Sequence, residues 1–335
     1  MVALALHQAA RASRALAIVG CAVTAAAAGG ACSDDSGGSG GAGAALAGPS
    51  SSSTGPLFNE GGNGAGTGSS GPPDSAYVPA DVGSYALGDP IESDGVGQNG
   101  INGEDGCEAL VGVVRDFRGA EEDDPHPDFE TYSGSDATED LVEQTIGADG
   151  KPVYTGNCQG GGGGNCPYGQ QMTSADAFQA WYRFAEGVNQ PYLIYFKFVD
   201  TGDVSTFEST AFFPLDGAGW GNSGEGEDGD PHNFHFTTEL HTLFEYQPGQ
   251  VFSFTGDDDL WVFINGHLAI DLGGLHPARS RTIDLDQSAG ELGIEAGEVY
   301  PLELFHAERH TGASNFKVDT NLAFVDCGYV PPDPK

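Results

Sequence analysis

Positive charge is scarce in this 335-residue chain: 12 lysines and arginines stand against 49 aspartates and glutamates, for a formal net charge of -37. Two of those cations, Arg11 and Arg14, precede the one long apolar run, so the remainder is more acidic still. Such a surface repels phosphate backbones and anionic membranes, which excludes nucleic acid as a partner and leaves charge no role in membrane binding. It does tolerate hard divalent cations, and calcium takes carboxylate and carbonyl oxygens in the flexible geometry that loops supply. Catalytic signatures are missing as well, with no GxSxG, Walker or dinucleotide fingerprint in the part that reads as ordered. No internal repeat of solenoid length is visible. Long hydrophobic runs are also absent: ALAIVGCAVTAAAAGGA, from Ala15 to Ala31, is too short and small-sided for a membrane span.

That run follows Arg11 and Arg14 and precedes CSDD, the layout of a signal peptide over residues 1–31, so the protein is expected to be exported. A cysteine at the end of such a run resembles the lipobox of bacterial lipoproteins, and Cys21 and Cys32 compete for that role. Cleavage before Cys32 discards Cys21, uses Cys32 for the lipid and leaves Cys107, Cys158, Cys166 and Cys327, an even number suited to an oxidising compartment. Cleavage before Cys21 would strand Cys32. The expectation is therefore a lipid on Cys32 as the sole membrane attachment, at the outer membrane or cell surface, with secretion without lipid as the alternative. Four cysteines allow three connectivities. The expected pairs are Cys158 with Cys166, closing the CQGGGGGNC loop, and Cys107 with Cys327, tying together the ends of the globular region.

Residues 32–76 are Gly/Ser-rich with nothing to bury and read as a flexible tether, and residues 77–106 read as a loop-like extension. Order is expected over 107–330. CEALVGVVRDF has the composition of a strand, and TSADAFQAWYRFAEGVN carries the one clear helix pattern, with Thr173 and Asp176 as a capping box and Trp181 on the core face. After it come PYLIYFKFVD, STFESTAFFPLD, NFHFTTELHTLFEY, QVFSFTG, LWVFI, HLAIDL, RSRTIDLD, VYPLELFHAERH and NFKVDTNLAFVD, short runs rich in Phe, Val, Ile, Tyr and Thr. This many short strands predicts an all-β antiparallel sandwich or barrel with one short helix.

Within FTGDDDLWVFINGHLAIDLGG, three consecutive aspartates precede one of the most apolar stretches of the chain. Adjacent carboxylates raise one another's pKa unless water or a cation shares the site. The Asn265-Gly266 pair between apolar runs predicts a tight hairpin, so the aspartates lie at the mouth of a rigid element. This string, with VVRDF, HNFHFTTELHTLFEY and LELFHAERHTGASNF in order around it, resembles the fibro-slime domain of myxobacterial and slime-mould extracellular proteins, which is similar to the wider PA14 family of β-barrels. The resemblance implies a calcium ion held by the aspartate pair before the hairpin, Asp257 and Asp258, with an asparagine of a later loop, Asn315, as the third protein ligand. Asp259 stands where many PA14 members have glycine and is taken as a ligand-side residue. Trp220, on the glycine-rich acidic loop, is the candidate aromatic platform for a sugar ring.

Seven of the nine histidines fall between His232 and His310, but HAERH lacks the HExxH order and reads as strand, so catalytic zinc is not expected. The sequence thus points to a non-enzymatic, calcium-dependent module of the cell surface or matrix that binds polysaccharide or glycoprotein glycans. Its rivals are a structural matrix protein with protein partners and, with less support, a glycoside hydrolase, since chance carboxylate pairs abound among 49 acids.

Overall fold

The structure is a computed structural model that describes residues 77–91, 100–103, 106–160 and 166–331. The chain divides into two units, 1–65 and 66–335, and all described secondary structure belongs to the second. The expected signal peptide, the lipidation candidate Cys32 and the Gly/Ser-rich linker to residue 76 lie outside the described residues.

The chain opens with β1 (Val78–Pro79), β2 (Ser84–Pro90), β3 (Ile101–Gly103) and β4 (Gly106–Asp116), then runs to α1 (Ala175–Gln179). Next come β5 (Gln190–Lys197), β6 (Val199–Asp200), β7 (Ser205–Ser209), β8 (Gly224–Glu225), β9 (Pro231–His232) and β10 (Phe236–Glu245). The remainder is β11 (Val251–Gly256), β12 (Asp259–Ile264), β13 (His267–Leu272), β14 (Arg279–Asp284), α2 (Leu285–Leu292), β15 (Val299–Glu308), β16 (Phe316–Thr320) and β17 (Ala323–Asp326). A ten-stranded antiparallel sheet follows the order β1-β2-β5-β4-β10-β15-β12-β13, with β3 on β4 and β17 on β10, and a five-stranded sheet follows β14-β11-β16-β7-β6.

One core lies between the sheets, where Phe196, Phe236, Leu260, Val262 and Leu304 of the large sheet meet Phe207, Phe252, Phe254, Phe316 and Val318 of the small one. The opposite face of the large sheet is also covered. Residues 117–189, the excursion that carries α1, lay Phe117, Phe129, Trp181 and Tyr182 against Trp261, Phe263 and Phe305. Burial on both faces explains why β12 reads as an unbroken apolar run rather than an alternation. Trp181 is fully buried, as its helical spacing predicts.

The β12–β13 turn has Asn265 at φ 51° and Gly266 at φ 75°, the left-handed pair that a tight hairpin with right-twisted strands requires. Both expected disulfides are present, Cys107–Cys327 and Cys158–Cys166. Three expectations need correction. The residues read as a loop-like extension contribute β1, β2 and β3, and β2 pairs with β5 inside the large sheet. The helix is only five residues long, and its cap is Ser174, whose hydroxyl accepts from the Ala177 N–H, while Thr173 bonds to Asp128 and Tyr132 instead. A second helix, α2, follows β14: Asp284 caps it by accepting from Gln287 N, and Gly293 ends it at φ 64°.

Several acids sit inside this frame. Glu239 is buried between Arg115, Lys151 and His241, and although burial favours its neutral form, the two cations hold its carboxyl well below the usual range. Glu303, nearby on β15, has no such help: its Oε2 lacks a hydrogen-bond partner and burial pushes its pKa up to about 7. Because the folded state holds that proton more tightly than the unfolded one, Glu303 subtracts stability progressively as pH rises from about 4.5 to about 7. The stability difference between Glu303→Gln and wild type should therefore shift in the variant's favour across that window, by at most about 1.4 kcal/mol per pH unit, and level off above it. Urea unfolding at a series of pH values measures this, and a pH-independent difference would contradict it.

Candidate functional site

The chain changes sheets between β11 and β12, and the corner is Asp257-Asp258. On the small-sheet side, β11 pairs with β16 up to Gly256 opposite Phe316, so the next step brings Asp257 to Asn315. Asn315 donates to Asp257 through its backbone N–H at 2.6 Å and its side-chain Nδ2 at 2.7 Å. On the large-sheet side, β12 pairs with β15 from Asp259 opposite Ala307, so Glu308 and Arg309 arrive beside the same corner. Gly256 is required there, because a Cβ would stand 2.6 Å from the Asn315 carbonyl oxygen. Asp258 turns the corner at φ 55°, a left-handed conformation that aspartate adopts more readily than most residues.

The three aspartates are held in three different ways. Asp257 bonds to Asn315, as above. Asp258 accepts from the backbone N–H groups of Arg309 and His310 at 2.8 and 3.1 Å, and donates its own N–H to the His276 carbonyl. Asp259 is fully buried: its Oδ2 meets Arg309 Nε and Nη2, each at 2.6 Å, and its Oδ1 accepts from Gly274 N. A cation does share the run, but it is a side chain. Asp259 is thus no ligand-side residue; it neutralises Arg309 beneath the corner.

Above Arg309, an open cleft of about 280 Å³ is lined by Asp257, Asp258, Glu308, His276 and His310, with Ser133-Gly134 of the excursion on one side. Glu227, an exposed residue of the acidic loop, reaches the same cleft and donates its N–H to the Gly312 carbonyl. Gly134 passes close enough to the opposite wall that a Cβ would lie 1.9 Å from the Leu275 oxygen, so only glycine fits. Burial is the largest influence on the carboxyls: it raises Asp257, lifts Asp258 to about 6 despite Arg309, and puts Glu308 well above its usual range with repulsion from both aspartates added.

Trp220 is not brought to this cleft. It is half-buried, its N–H bonds to Asp116 Oδ2, and the Arg118 guanidinium lies 4.6 Å over its ring, occupying one face. Among the described residues, no group of three or more His, Cys, Asp or Glu side chains is placed to enclose a metal ion. His306 is fully buried against Phe212, Phe254 and Phe316, with burial lowering its pKa to about 3, so it fills the core as a neutral ring. A cation at the corner would have to draw on carboxylate, amide and backbone oxygens together, which is a donor set for calcium rather than zinc.

Sequence reasoning missed Glu308, His276, Glu227 and Arg309. A signal for Arg309 existed: three adjacent acids at the start of a buried strand call for a cation, and cations are few. Its removal tests the arrangement. Arg309→Met leaves Asp259 buried and unpaired and should cost about 3 to 5 kcal/mol, read as a lowered urea midpoint; an unchanged midpoint would show that the pair does not matter.

Residues 193–334, less than half of the chain, match the family model described as PA14 domain. Two proteins of Dictyostelium discoideum are similar: psiR, 36% identical over 224 residues (62% of this chain, 21% of psiR), and psiD, 38% identical over 211 residues (60% and 39%). The chain thus matches only about a fifth to two fifths of these relatives' length. Among solved structures, a PA14 sugar-binding domain from an RTX adhesin aligns with 66% of this chain and 98% of its own, at 11% identity and a TM-score of 0.26, too low to carry an argument about function.

Proposed function

We propose that this chain is an exported, non-catalytic module of the fibro-slime type that holds a calcium ion at Asp257, Asp258 and Asn315 and binds polysaccharide or glycoprotein glycans at the cleft above them. The carrying observation is the convergence of these residues, from the ends of two different sheets, on one open acidic cleft. The match to the PA14 family model spans all three of them. A calcium ion with open coordination positions would supply exchange of water for vicinal sugar hydroxyls. The protein's own part is to fix the carboxylates. Asn315 orients Asp257, two backbone N–H groups orient Asp258, and His276, His310 and Glu227 offer polar edges around the opening. The two disulfides agree with a location outside the cytoplasm. Attachment through a lipid on Cys32 and residence in an extracellular matrix belong to the same proposal.

One observation favours a second reading, in which calcium rigidifies the corner of a structural matrix protein whose partners are proteins. No tryptophan, tyrosine or phenylalanine lines the cleft, so a sugar ring would find no aromatic face there. Melting of the purified chain with calcium and with chelator, followed by a glycan array under both conditions, separates the two. Calcium should raise the melting temperature by several degrees, and Asp257→Asn with Asp258→Asn should abolish the rise. Glycan signals that vanish with chelator support the binding module; thermal stabilisation with a silent array supports the structural one; no stabilisation removes calcium from both.

A further inference from the structure

Glu308 stands out because burial and contact disagree. Its side chain lines the open cleft, yet the residue is only 1% exposed, and its Oε2 has no hydrogen-bond partner. Buried carboxylate oxygens are normally satisfied, since leaving one unpaired costs the desolvation of a charged group. The neighbours make matters worse rather than better: Asp257 and Asp258 repel it across the cleft, and Ser314, the one hydroxyl close by, donates instead to the Phe212 carbonyl at 2.8 Å. Arg309 is adjacent in sequence but on the opposite side of the strand, where its guanidinium is committed to Asp259, the Asp128 and Gln171 carbonyls and the Trp181 ring. His310 turns away as well, with Nδ1 at 3.1 Å from the Thr311 carbonyl and Nε2 at 3.5 Å from Glu130.

We infer that Glu308 is the third carboxylate ligand of the cation site, supplying from the end of β15 the charge that Asp257 and Asp258 alone do not. The inference rests on the calcium reading above and adds to it a residue, a charge and a selectivity. Three carboxylates without a facing cation favour multivalent over monovalent ions, and ligand charge count is the main lever by which protein oxygen sites tune calcium affinity. The placement also explains why this corner tolerates an unpaired buried acid: the ion, rather than a hydrogen bond, satisfies it. The loss of Glu308 should act on the loaded and unloaded states in opposite directions. Without calcium, removing one of three mutually repelling carboxylates relieves the corner. With calcium, the same change removes a ligand.

The test uses the full chain as wild type, Glu308→Gln, and Asp257→Asn with Asp258→Asn, with calcium and terbium as probes. Melting temperatures are recorded in chelator and in calcium, and terbium luminescence titrations give affinities. Glu308→Gln should melt higher than wild type in chelator, gain less from calcium, and bind calcium about tenfold more weakly or worse. Wild-type affinity in Glu308→Gln, alongside loss of binding in the aspartate double variant, overturns the role of Glu308 and leaves the calcium site standing. Absence of binding by wild type itself overturns both. If Glu308→Gln fails to fold, a crystal structure of wild type grown in calcium decides: a Glu308 oxygen within about 2.3 to 2.6 Å of the ion supports the assignment, and a Glu308 directed elsewhere refutes it.

Discussion

The buried pair of Arg309 and Asp259 holds the corner on which the rest of this fold depends. A strand that leaves one sheet and enters another must turn within two residues, and here those residues are acids followed by a third that lies fully inside. Burying one carboxylate is tolerable only with a partner of excellent geometry. Arg309 provides it and does more: its guanidinium reaches the Asp128 and Gln171 carbonyls and lies 4.8 Å from the Trp181 ring, while its backbone N–H anchors Asp258. One residue therefore ties the corner, the excursion and the end of β15 together. Breaking it would free three segments at once.

The excursion over residues 117–189 is the second constraint. The large sheet is apolar on both faces, so without that cover Trp261, Phe263 and Phe305 would face water. The cover is fixed by Lys151 reaching Glu239 through the sheet's polar row and by Asp128, which accepts from Trp181 Nε1 and Thr173 N. Its consequence for the site is direct. The same segment bonds to the 273–281 loop, with Thr138 N donating to the Gly273 carbonyl and Arg279 Nε to Asp136, and so sets the wall formed by Ser133 and Gly134. The family match begins at residue 193, so this wall is built by a part of the chain outside it.

How much of this was legible in the sequence follows from what each feature depends on. The central strands, the Asn265-Gly266 hairpin and the buried Trp181 rest on local pattern and were readable. The helix α2 also carries local signals, Asp284 and Gly293, but its first residues continue the strand pattern of RSRTIDLD, and the cap was passed over. β2 was hidden because SYALGDP contains the Gly and Pro of a loop, and only its pairing with β5 makes it a strand. At the site, Asp257, Asp258 and Asn315 could be placed through a resemblance, whereas Glu308, Arg309 and His276 reach the corner through register between strands distant in sequence. Asp259 misled for a related reason: three identical residues in a row gave no hint that the third points into the core.

The corner's position also determines what ion binding would do mechanically. Asp257 and Asn315 belong to the edge of the small sheet, and Asp258 and Glu308 to the end of the large one, so an ion between them would join two layers otherwise held by their shared aromatic core. Anything that binds only the folded arrangement stabilises it by mass action. A calcium ion here would thus link folding of the two-layer body to the composition of the surroundings, strongest where calcium is plentiful. The strongly acidic surface works in the same direction, since its self-repulsion weakens the compact state and any bound cation lessens it. Fold stability and cleft chemistry would then respond to a single variable.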